Sequence, residues 1–144
     1  MKVLIDTNVI LTYILNREDL FTKESEEIMT LCASGEIDGF IAFHSLSIIW
    51  YVLRRCSDTL RRQWLKDICA VLAIADSDHS AVLTGIENVN FKDFEDCLQD
   101  CCAKNVKADY IITENTKDYD KVSIVKAIDP KAFLLLYHSP DTPF

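Results

Sequence analysis

Lys2-Val3-Leu4-Ile5-Asp6-Thr7-Asn8-Val9 is the stretch that decides the fold. Its short apolar run predicts a buried strand, and Asp6-Thr7-Asn8 stops that strand with residues that favour turns. From Val9 to Leu15 the apolar spacing becomes helical. A strand that ends on an acid and hands over at once to a helix is the opening of a β-α unit.

Working outward, the same alternation repeats. A helix is expected over Thr22 to Ala33, with Ile28, Leu31 and Cys32 on one face and Gly35 as its stop. Ile37 to Phe43 reads as the second strand, followed by a helix carrying Ile49, Trp50, Val52 and Leu53, for which Ser45 or Ser47 is the expected cap. Thr59 to Ala70 reads as helix and Val71 to Ala75 as the third strand, ending at Asp76. Two helices are expected next, near Ser77 to Ile86 and from Asp93 to Asn105, with Asn105 as a left-handed stop. Asp109 to Thr113 is the fourth strand and Ile124 to Ile128 a short fifth, and Pro130 opens a last helix through Leu136. The pattern predicts an α/β protein, a three-layer α/β/α fold with a central, mainly parallel sheet. With no internal repeat and no linker, residues 1–144 are expected to form one domain.

Composition narrows the class. Of 144 residues 49% are apolar and 26% charged, with three Gly and three Pro, which excludes a disordered or low-complexity chain. Fifteen basic against 23 acidic residues give a net charge of −8, the wrong sign for a general nucleic-acid coat. That balance still allows an enzyme that gathers carboxylates around a divalent cation, because the ion inverts the local charge. No apolar run approaches the roughly 20 residues of a membrane span. Asp6 interrupts any signal-peptide core, so a cytoplasmic location is expected. The six cysteines lack a CxxC pair and read as small buried hydrophobes.

The acids fall where an open parallel sheet collects ligands, at the carboxyl ends of strands. Asp6 follows the first strand, Asn115 and Asp118 follow the fourth, and Asp96 sits in the first turn of the preceding helix. Asp93 is better explained as that helix's cap. On the helical wheel Phe94, Cys97, Leu98, Cys101 and Cys102 share one arc and Asp93, Asp96 and Asp100 the other, so the carboxylates are expected to point away from the buried cysteines. Clustered carboxylates repel unless a cation is near, and hard oxygen donors select Mg²⁺ or Mn²⁺. Such a site serves phosphodiester cleavage.

Three blocks, Val3-Leu4-Ile5-Asp6-Thr7-Asn8-Val9, Asp93-Phe94-Glu95-Asp96-Cys97-Leu98-Gln99 and Tyr110-Ile111-Ile112-Thr113-Glu114-Asn115-Thr116-Lys117-Asp118-Tyr119, together resemble the PIN domain, the fold of VapC-type toxin ribonucleases. The resemblance spans nearly the whole chain. It implies a metal-dependent endoribonuclease in which Asp6, Asp96 and Asp118 hold Mg²⁺ or Mn²⁺. Asn115 and Thr113 would support the cluster, and Asn8 would stand beside the first acid. It also implies an RNA substrate, an antitoxin partner and a homodimer.

Two positions depart from the family pattern. Ile48 stands where the helix after the second strand usually carries an acid, and no carboxylate lies between Asp38 and Asp58 to replace it. Glu114 stands where an Arg is common, and a carboxylate cannot neutralise phosphate as an Arg does. Metal would still be held by Asp6, Asp96 and Asp118, with Asn115, Ser45 or His44 assisting through water. The alternative is a degenerate PIN domain that binds RNA or protein without cleaving. Outside these blocks, Arg54 to Lys66 carries five basic residues and one acid. It reads as a solvated helix face with Trp64 in the core, or as a contact for RNA phosphates with Trp64 stacking on a base.

Overall fold

The computed structural model describes residues 1–18 and 20–139, so the expected extent of 1–144 includes five C-terminal positions outside the described residues. The elements run β1 (Lys2–Ile5), α1 (Thr7–Leu15), α2 (Thr22–Ala33), β2 (Asp38–Ala42), α3 (Ser45–Val52), α4 (Asp58–Val71) and β3 (Ala73–Ala75). They continue through α5 (His79–Glu87), α6 (Phe94–Asn105), β4 (Tyr110–Ile112), a 3₁₀ turn (Thr116–Asp118), β5 (Ala127–Ile128) and α7 (Pro130–Tyr137). The five strands pair in parallel in the order β3-β2-β1-β4-β5. No helix among the described residues is long and apolar enough to cross a membrane.

Strand alternation sorts the core onto two faces. Val3, Ile5, Ile41 and Ile112 join α1, α2, α3, α4 and α7 around Ile10, Ile28, Ile49, Ile68 and Phe133. Leu4, Ala42, Ala75 and Ile111 face the other way, onto Cys102 and Ala103 of α6 together with Tyr119 and Val125. Because both faces are covered, β1 is apolar at every position after Lys2 rather than at alternate ones. The expected three-layer arrangement is therefore present, with α5 packed on α6 outside the smaller core.

Several local expectations are corrected. The strands are shorter than the apolar runs: β3 begins at Ala73 because α4 continues to Val71, and β5 is reduced to Ala127–Ile128. Helix α6 ends with Val106 as its cap, and the left-handed residue is Lys107 (φ 56°) rather than Asn105. Neither Ser45 nor Ser47 caps α3: the cap position is His44, which makes no side-chain capping bond. Helix α6 is buried on both arcs. Cys97 and Cys102 are covered as expected, but so are Asp96, Gln99 and Asp100. Asp100 is spent internally, accepting the Ile124 N–H at 2.9 and 3.0 Å and the Val125 N–H at 2.9 Å. Trp64 is half-buried and meets Tyr13 edge to face, so the basic segment turns its indole inward. Arg61 there stacks over Trp50 and donates to the Leu53 carbonyl at 2.9 Å.

Candidate functional site

Strand order reverses at β1, whose neighbours are β2 on one side and β4 on the other. The carboxyl ends of β1 and β4 thus form the switch point where such sheets take ligands. Asp6 and Thr113 sit there, fixed by backbone bonds from Asp6 N–H to the Ile112 carbonyl (2.9 Å) and from Thr113 N–H to the Ile128 carbonyl (3.0 Å). Asp6 occupies the N-cap position of α1, yet its side chain makes no capping bond to the helix. An Asp at that position ordinarily caps. Here the carboxylate is turned into the site instead.

The Asp6 Oδ2 accepts the Thr113 hydroxyl at 2.7 Å and the Tyr119 hydroxyl at 3.0 Å. Tyr119 also lies 3.1 Å from Asp96 Oδ1, so one buried phenol bridges the acid of β1 and the acid of α6. Thr113 is oriented in turn, receiving the Asn8 amide at 3.3 Å and the Asn115 backbone N–H at 3.1 Å. Asp93 behaves as the expected cap, accepting the Glu95 backbone N–H at 2.9 Å. That cap aims the first turn of α6, and with it Glu95 and Asp96, at the switch point.

Glu95 stands beside the pair. Its Oε1 accepts the Gln99 amide at 2.7 Å and the Thr7 hydroxyl at 3.3 Å, and lies 3.0 Å from His44 Nε2. Asp6, Glu95 and Asp96 each offer an oxygen within 4.8 Å of the others. These side chains line an open cleft of about 360 Å³, shared with Asn115, Asp118, Ile48 and Arg17. Asn115 donates to the Asp118 carboxylate on the same cleft wall, and Asp118 is half-exposed and outside the three-carboxylate group.

Crowding sets the charge states. Burial first, and then the negative charge of Glu95, push the Asp6 carboxyl up to about 6, against the pull of Thr113, Tyr119 and the Thr7 N–H. Burial, with the charges of Asp6 and Asp93, pushes Asp96 up to about 7. Burial would raise Glu95 as well, but His44 and Gln99 hold it below the usual range. Burial and the surrounding carboxylates push the Tyr119 phenol far upward, so it stays a donor.

Four of the five residues read from the sequence line one cleft, Asp6 and Asp96 in its buried part and Asn115 and Asp118 on its rim, and Thr113 lies buried behind it, bonded to Asp6. Glu95, Tyr119, Thr7 and Gln99 were not singled out. Glu95 is adjacent to Asp96 and therefore about 100° away on the wheel, and only its i,i+4 pairing with Gln99 hinted that it was held. Tyr119 carries no signal beyond following Asp118.

A family model described as PIN domain matches residues 2–117. No curated protein matches the chain. Among solved structures, VapBC2 from Rickettsia felis, bound to a DNA fragment from its promoter, superposes with a TM-score of 0.70 at 15% identity, over 90% of this chain and 98% of that one. VapBC-1 from nontypeable Haemophilus influenzae gives 0.68 at 15% identity, over 91% and 99%. VapC20 from Mycobacterium tuberculosis, described as a sarcin-ricin loop cleaving toxin, gives 0.60 at 14% identity, over 85% and 96%. At such identities the likeness is one of fold.

Proposed function

The chain belongs to the PIN domain family, and from that premise we propose that it is a metal-dependent endoribonuclease of the toxin type. The observation that carries the proposal is the convergence of buried Asp6 and Asp96 on one Tyr119 hydroxyl in an open cleft at the sheet's switch point. A phenol is a weak compensation for two adjacent carboxylates, whereas a divalent cation offsets both charges.

The donor set fits such a cation. It consists of carboxylate oxygens alone, those of Asp6 and Asp96 within 4.8 Å of one another, which is chemistry for Mg²⁺ or Mn²⁺. Asp6 and Asp96 would hold it from the buried side and Asp118 from the rim. When bound, the ion supplies Lewis acidity toward the phosphate and stabilises charge on the leaving oxygen. The chain's own part is orientation. Thr113 and Tyr119 fix one oxygen of Asp6, Asn8 fixes Thr113, and Asn115 fixes Asp118. Arg17, which lines the cleft, is the group that takes an RNA phosphate. Glu114, at the position where an Arg is common, accepts the Thr12 hydroxyl at 2.6 Å.

The kinship with VapC-type toxins supports an antitoxin protein as partner and pairing of two copies of the chain. Ile48 favours a second reading, a PIN domain that binds RNA or protein without cleaving, because it places an apolar side chain in the cleft where the family usually carries an acid. Cleavage of a panel of structured RNAs separates the two. The nuclease cuts with Mn²⁺ and stops in EDTA. A folded protein that cuts nothing, or that cuts equally in EDTA, overturns the proposal.

A further inference from the structure

The cleft contains one carboxylate that the family pattern does not explain. An acid two residues after a cap normally does no more than complement the helix dipole from the surface. Glu95 instead reaches back to the start of α3, where His44, Thr7 and Gln99 contact it. Gln99 is fully buried, and its amide nitrogen also lies 3.0 Å from the Thr7 hydroxyl and 2.9 Å from the Ser45 hydroxyl, which are themselves 2.7 Å apart. Residues of α1, α3 and α6 thus cooperate to hold this one side chain.

All three contacts fall on the same oxygen, Oε1. Among the described residues Oε2 has no hydrogen-bond partner, and neither has Oδ2 of Asp96. A surface ion pair needs no such scaffold. Restraining one oxygen of a carboxylate and leaving the other free is how outer groups orient a metal ligand. Ile48 lines the same cleft on α3. The position that lacks its acid and the acid with no assigned task therefore face one space.

We infer that Glu95 supplies, from α6, the carboxylate toward a divalent cation that α3 lacks at Ile48. His44 and Gln99 hold it in place. The inference rests on the cation site proposed above and assigns that site a ligand.

The test is Mn²⁺ binding by the metal-free full chain, followed calorimetrically without RNA. The parent, Glu95→Gln and the double variant Ile48→Glu/Glu95→Gln are compared, and thermal melts confirm folding. Gln keeps the size of Glu and still accepts from its neighbours. Glu95→Gln is expected to weaken Mn²⁺ binding about tenfold or more, and the double variant to regain most of the loss. Parent-like affinity in Glu95→Gln, or a loss that Ile48→Glu does not repair, overturns the inference. A parent that binds no Mn²⁺ overturns the cation site itself, an outcome distinct from both.

Discussion

Tyr119 shows how much of the site depends on a residue without an acid or a base in play. Its hydroxyl lies between the carboxylates of Asp6 (3.0 Å) and Asp96 (3.1 Å) and shares one hydrogen between them. Tyr119→Phe keeps the ring, which packs in the smaller core and meets Phe91 edge to face. It removes the donor that favours both charged carboxylates. The expected cost is about 1–3 kcal/mol of stability at neutral pH, read by urea unfolding. Both aspartates should also titrate still higher, since the lost bond lowers each of them. At this scale the sequence was informative about acids and silent about their supports. Asp6, Asp96, Asn115 and Asp118 follow strands or open a helix, so their placement is local. Tyr119 and Gln99 earn their positions through partners more than twenty residues away, and no local spacing encodes those.

At the scale of elements, α6 joins the site to the sheet's far edge. Asp96 points into the cleft, while one turn later Asp100 accepts backbone N–H groups from Ile124 and Val125 and anchors the segment between the 3₁₀ turn and β5. Tyr119 begins that segment. Asp100→Ala leaves the buried Val125 amide without a partner, for an expected loss of about 1–3 kcal/mol. Amide exchange should accelerate at Ala127 and Ile128 before the other strands, since β5 is held on one side by β4 alone. Periodicity located α2, about Thr22 to Ala33, because an amphipathic face and a following glycine both mark it. For α6 it separated a cysteine arc from a carboxylate arc, and both are buried, Cys97 and Cys102 on one and Asp96 and Asp100 on the other.

For the whole molecule, the cluster makes stability depend on pH, and the proposed cation would add a dependence on metal. Asp6 and Asp96 titrate near 6 and 7 in the folded chain, against 3.8 ordinarily, so the folded state holds protons that the unfolded state has released. Their contribution is fully present below about pH 4 and is lost as pH rises through 6 and 7. In EDTA the parent should therefore melt at a lower temperature at pH 8 than at pH 5. Asp96→Asn should flatten that dependence and be the more stable protein at pH 8, by on the order of 1 kcal/mol or more. Mn²⁺ should raise the parent's melting temperature more at pH 8 than at pH 5, because it binds the ionised cluster. The layered architecture was readable from alternation of strand and helix, and the sheet's two-sided burial from the unbroken apolar β1. Strand order was not readable, because pairing of β1 with β4 joins segments about a hundred residues apart.

Whether the Asp6–Asp96 cleft cleaves RNA is decided by single-turnover cleavage of structured RNA in Mn²⁺ by the parent and by Asp96→Asn, purified side by side. The parent is expected to cut, and the variant, folded like the parent, to lose at least about a hundredfold in rate. Equal rates from the two proteins would contradict cleavage at this cleft.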